Sequence, residues 1–217
     1  MTSAAAEPGL GRLLARALAA TGATGEPHAT DERILDGALE EIAASGSVAA
    51  TMDGIARRAG VGRMTVFRRF GTKEALIERL GLRELQRFLA SVDAAVAGLD
   101  DPADRIVETF VVCVRAGTEH PFVARQVRDE PGLAFERLTR GDPSPLDIGR
   151  AYVAENLRRF AAQGHEIVEE TDAAADVLVR LVASYVLEPG RLVDVGDEAA
   201  VRAFARRTLA PIVTRRR

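Results

Sequence analysis

The stretch GIARRAGVGRMTVFRRFGTKEAL, Gly54 to Leu76, holds six basic residues, Arg57, Arg58, Arg63, Arg68, Arg69 and Lys73, and no acid before Glu74. The chain around it is slightly acidic, with 29 Lys plus Arg against 32 Asp plus Glu and a formal net charge of −3. Cations gathered this way can neutralise phosphates, and arginine can form paired hydrogen bonds with guanine edges. Residues for bond-making chemistry are poorly supplied. His28, His120 and His165 lie far apart, none stands in an HExxH, no Cys/His cluster has metal-ligand spacing, and no GxSxG occurs. Cys113 is the single cysteine, sits in the apolar run from Phe110 to Val114, and reads as a small buried hydrophobe. No catalytic residue, metal or cofactor is therefore expected.

The cations need a scaffold, and the residues around them supply one. Residues 51 to 70 read as a helix, a tight turn and a short helix. Ala56 is small enough for a close helix crossing, Gly60 four residues later can take the positive φ of a sharp turn, and Val66 can fill the small core from the second helix. This is the pattern of a helix-turn-helix, whose second helix enters the major groove by its N-terminal end. The expected DNA contacts are Thr51, Arg63, Met64, Thr65, Phe67, Arg68, Arg69 and Lys73. A basic face for an acidic protein partner, on a helical adaptor, is the alternative; an enzyme ranks last.

The 217 residues suffice for a small domain plus a larger one, and 47% of them are hydrophobic. Alanine is abundant and no alternating β-branched run occurs, so the fold class is all-α. Helices are predicted at about 10–20, from Asp31 to the SGS at 45–47, from Thr51 to Gly60, at 63–70, 72–97 and 103–118. Others follow from the HP at 120–121 to DEPG, at 133–139, 146–163, 172–187 and 197–215. The division is an N-terminal arm with a short amphipathic helix (1–28), a helix-turn-helix domain (29–76) and a helical ligand-binding and dimerisation domain (77–217). No basic leader and no apolar run of about 18 residues is present, which predicts a cytoplasmic protein with no membrane partner.

Residues 31 to 80 resemble the DNA-binding domain of the TetR family of bacterial repressors, through ATMDGIARRAGV, RMTVFRRF and GTKEAL. The later YVLEPGR and EAAVRAFARRTLAPIV match more loosely. In the family, the positions of Thr51 and Lys73 commonly hold the DNA backbone. A Tyr usually stands where Phe67 is, and Phe67 offers a thymine-methyl contact in place of the hydroxyl. Gly62 stands where a capping Ser is frequent.

The resemblance implies a ligand-responsive transcriptional regulator, expected to be a repressor, that binds a palindromic double-stranded operator as a homodimer. The effector is expected among the middle helices, against Phe88, Phe110, Cys113, Val114, Phe122, Gln126, Tyr152 and Asn156. These side chains suggest a small apolar or amphipathic molecule, with no cofactor. The last two long helices of the family usually pair with a second subunit. Here they carry the stripes Leu178, Leu181, Val182, Tyr185 and Val201, Phe204, Leu209, which are the expected dimer interface. The helix from Thr72 to Ala97 is expected to carry the signal, because it starts at the DNA-binding unit.

Overall fold

The computed structural model describes residues 29–188, 190 and 192–214, so the expected arm at 1–28 lies outside the described residues. The described chain is helical throughout, apart from an isolated antiparallel bridge between Ile167 and Thr214. In chain order the helices are α1 (Ala29–Ser45), α2 (Met52–Ala59), α3 (Arg63–Phe70), α4 (Lys73–Val96), α5 (Pro102–Glu119) and α6 (Pro121–Asp129). They continue with α7 (Pro131–Thr139), α8 (Pro145–Ala162), α9 (Thr171–Leu187), α10 (Glu198–Thr208) and α11 (Ala210–Val213).

The boundaries follow from local chemistry. Thr51 caps α2 by accepting from the Gly54 amide, and Thr72 caps α4 by accepting from Ala75. Gly60 ends α2 at φ 63°, in the left-handed region where only glycine is free of strain. Helices α5, α6, α7 and α8 each open on a proline, which costs nothing at a first turn, where the amide has no helical partner. A Ser144–Asp147 capping box fixes the start of α8.

The sequence reading of one helix over 197–215 is corrected. The chain breaks at Leu209 into α10 and α11, because Pro211 lacks an amide to donate and its ring crowds the preceding turn.

Two cores form. The first gathers Ile34, Ala38 and Ile42 of α1, Ile55 and Ala59 of α2, Val66 of α3 and Leu76 and Leu80 of α4. Phe122 of α6 joins it, so the N-terminal unit does not close on itself at residue 76 but borrows a side chain from the larger unit. The second packs Val107, Phe110 and Val111 of α5 against Leu157 and Phe160 of α8, Leu178 of α9, and Val201, Ala205 and Leu209. Tyr185 and Phe204 on its rim meet the buried Phe110 in an aromatic trio, with ring centroids 5.2 to 5.9 Å apart.

Candidate functional site

Helices α2 and α3 make the helix-turn-helix, and the packing shows how tightly it is built. A Cβ on Gly37 of α1 would lie 2.7 Å from the Ala59 amide nitrogen and 3.0 Å from the Ile55 carbonyl. The close crossing is therefore made at Gly37, facing α2, with Ala56 buried beside it. Val66 is fully buried as the α3 anchor. The opposite face of α3 is open: Arg63, Phe67, Arg68 and Arg69 are exposed, Met64 is 74% accessible, and Thr65 is partly covered. Gly62 gives α3 no side-chain cap, so the amides at its N-terminus face outward with the positive end of the helix dipole.

The cations divide by their partners. Arg63 pairs with Asp53 at 3.1 Å on open surface, and Arg58 pairs with Glu41 at 2.7 Å. Arg69 pairs with Asp31 at 2.7 Å, which ties α3 to α1. The Lys73 Nζ donates to the carbonyls of Val48 at 2.9 Å and Ser47 at 3.4 Å, which ties the start of α4 to the loop between α1 and α2. Arg57 and Arg68 are exposed, and no acidic side chain lies in ion-pair contact with either among the described residues.

Between this unit and the middle helices lies a cavity of about 1420 Å³. Its walls are mostly apolar and include Leu85 and Phe88 of α4, Val112 of α5, Leu138 of α7 and Val182 of α9. Of the expected effector residues, Phe88, Phe110, Cys113, Phe122, Gln126 and Tyr152 line it. Val114 and Asn156 do not. Val114 is buried in the second core, and Asn156 lies in a small separate cleft beside Phe160, where it donates to the Tyr152 carbonyl. Burial pushes the Cys113 thiol up to about 12, so it behaves as a hydrophobe. Burial also raises the Tyr152 phenol, which donates to Asp93 at 3.0 Å.

Two helices join cavity to DNA-binding unit. On α4, Arg83 and Glu84 are buried. Arg83 bonds Asp36 at 2.8 Å and Glu32 at 3.2 Å on α1, and Glu84 bonds His120, at the joint of α5 and α6, at 3.0 Å. Burial alone would raise the Glu84 carboxyl. The hydrogen bonds from His120 and Arg83 and the charges of Arg83 and Arg87 outweigh it and hold the group below its ordinary value. The second link is α6, a helix expected from the sequence without this linking role. Phe122 and Gln126 face the cavity, while Arg125 donates to the Ala43 and Ala44 carbonyls at the end of α1. Just beyond α6, Glu130 accepts from the Ser47 hydroxyl and the Val48 amide.

The expected dimer residues divide as well. Leu178, Val201 and Leu209 are buried in this protomer's own core, so they support the outer face rather than form it. Leu181, Val182, Tyr185 and Phe204 are only partly covered. Val177, which the sequence reading passed over, is 46% exposed one turn before Leu181.

No helix among the described residues is long and apolar enough to cross a membrane, and no cluster of His, Cys, Asp or Glu among them could hold a metal ion.

Residues 34–80 match the family described as "Bacterial regulatory proteins, tetR family". An HTH-type transcriptional regulator of Mycobacterium tuberculosis is 29% identical over 186 residues, which span 84% of this chain and 85% of that protein. Among solved structures, the fatty acid degradation regulator FadR from Bacillus halodurans superposes with a TM-score of 0.59 at 19% identity, covering 83% of this chain and 97% of that one. A second, from work on control of antibiotic production by bacterial hormones, gives a TM-score of 0.64 at 19% identity, covering 86% and 98%. Residues 34–80 are thus matched in sequence by the DNA-binding domain of the TetR family, and the helical architecture around them is matched in structure by solved regulators.

Proposed function

We propose that this regulator is a cytoplasmic repressor. Two copies pair through α9 and α10, seat their α3 helices in successive major grooves of a palindromic operator, and leave it when a small apolar or amphipathic effector fills the cavity. The observation that carries this reading is that one cavity borders both the middle helices and the DNA-binding unit, including Ser47, Val48 and Lys73. A ligand there pushes on α4, which begins at the DNA-binding unit, and on α6, whose end grips the loop after α1.

On DNA, the outward amides of α3 and the exposed cations Arg57 and Arg68 meet phosphates, while Arg63, Met64, Thr65 and Phe67 meet base edges. Phe67 and Met64, both exposed and apolar, suit thymine methyls. Half-sites one helical turn apart require reading heads about 34–36 Å apart, so a small tilt of α4 and α6 in each protomer mismatches the pair. A hundredfold release requires about 2.7 kcal/mol of coupling. By linkage, operator DNA must then weaken the effector by the same factor.

The test is a titration of operator-bound and free protein with apolar and amphipathic compounds, followed by fluorescence anisotropy of labelled DNA. Release of DNA by a cavity ligand supports the reading. A ligand that binds in the cavity with equal affinity in both states sinks it.

A further inference from the structure

Three buried polar atoms at the cavity have no hydrogen-bond partner among the described residues: Nε2 of Gln126, Nη1 of Arg137 and Nδ1 of His120. Unpaired polar groups in an apolar site are costly, which makes each one a place where a ligand atom is expected. Gln126 is only 5% exposed. It lies one helical turn after Phe122, so the two share a face of α6. The Arg137 guanidinium lies 5.8 Å from the centre of that same Phe122 ring. The two donors therefore converge from α6 and α7 on one spot.

Glu130 and Glu136 act on the Arg137 charge from a distance, but among the described residues neither forms an ion pair with it. Glu136 pairs with Arg140, and Glu130 is occupied by Ser47 and Val48. A charged fork and an amide donor at one end of a large apolar chamber match a monoanion with an apolar body.

We propose that the cavity takes an amphipathic carboxylate, its two oxygens held by Arg137 and Gln126 and its chain lying along Leu85, Phe88 and Val112. A single unpaired guanidinium balances one negative charge; a phosphate monoester, at nearly two, is left undercompensated. The assignment rests on the reading of the cavity as the effector site and names the chemistry of that effector.

The experiment measures binding to the full chain without DNA, so its failure is separable from failure of the regulator reading, which is judged by DNA release. Straight-chain carboxylates from octanoate to hexadecanoate are titrated by calorimetry, below micelle formation, beside the methyl ester, alcohol and alkyl phosphate of the tightest chain length. The expected result is saturable 1:1 binding of a carboxylate at least tenfold tighter than its ester, alcohol or phosphate. Arg137→Gln is expected to erase that preference and Arg137→Lys to restore part of it. Should Arg137→Gln not fold, the comparison of head groups on the native chain still decides. No carboxylate binding, an ester bound as tightly, a tighter phosphate, or an Arg137→Gln protein that keeps the preference would each overturn the assignment.

Discussion

Gly37 and Gly81 both lie inside helices, and replacing each with alanine should move stability in opposite directions. Intrinsic helix propensity favours alanine over glycine by about 1 kcal/mol at either position. At Gly81, on α4, an added Cβ meets nothing within 4 Å, so the propensity gain stands. At Gly37 the same atom would lie 2.7 Å from the Ala59 amide nitrogen, 3.0 Å from the Ala59 Cβ and 3.0 Å from the Ile55 carbonyl oxygen. Two of these are backbone atoms that cannot rotate away, so α2 must shift as a body. Overpacking of this kind costs about 1–3 kcal/mol, enough to cancel the propensity gain and leave a net loss of up to about 2 kcal/mol. For a chain of this size that is a fall in Tm of up to roughly 6 °C for Gly37→Ala, against a rise of about 3 °C for Gly81→Ala. Helical circular dichroism during heating, at one fixed protein concentration, reads both. Because α2 carries α3, Gly37→Ala should also weaken operator binding, whereas Gly81→Ala changes nothing in the helix-turn-helix. Two shifts of the same sign would refute the close crossing as the feature that sets the geometry of the reading head.

Other expectations follow from single contacts. Glu84→Gln leaves Arg83 buried beside a neutral amide and should cost on the order of 3 kcal/mol, read as a shift of the urea midpoint. The folded Glu84 carboxyl sits below its ordinary 4.5, so its contribution is complete above that pH and fades as pH falls through the lower, folded value; the variant should show a flatter acid limb, and identical limbs would contradict the network. Arg68→Ala should weaken binding to specific and random duplexes alike and reduce the salt slope by about one, while Arg63→Ala should relax preference at particular base pairs; anisotropy across a salt series separates them. Val177→Glu places a charge on an exposed position and should leave the fold intact while shifting the mass by light scattering from dimer towards monomer; an unchanged dimer would move the interface off α9.

Much of the DNA-binding unit was legible because its signals are local. Gly60, Thr72 and the buried Val66 each do what their residue type and spacing predict. Longer-range facts were not legible. That Asp31 claims Arg69 and that two carbonyls claim Lys73 depends on how α1 folds back across α3 and α4, which no spacing encodes. Gly37 looked like an ordinary helical glycine until Ala59 was placed against it. In the larger unit, the apolar stripes located the core but could not divide core from face. Leu178 and Leu181 differ by one position in the stripe, yet one is buried and the other partly open. Pro211 was the one local signal passed over there, and it breaks the last helix. The role of α6 required tertiary structure, since Phe122 packs into one unit while belonging in sequence to the other.

The central claim is that the open face of α3, presented twice by a symmetric pair, reads DNA. The most direct measurement is selection of bound sequences from a random duplex pool by the native protein, with Arg63→Ala and Phe67→Ala carried in parallel. The account predicts an enriched inverted repeat, its half-site centres separated by about one helical turn or a multiple of it, with base preferences in each half-site that the two variants change at different positions. A pool that shows no enrichment, a single unrepeated site, or a repeat that both variants read as the native protein does would contradict it.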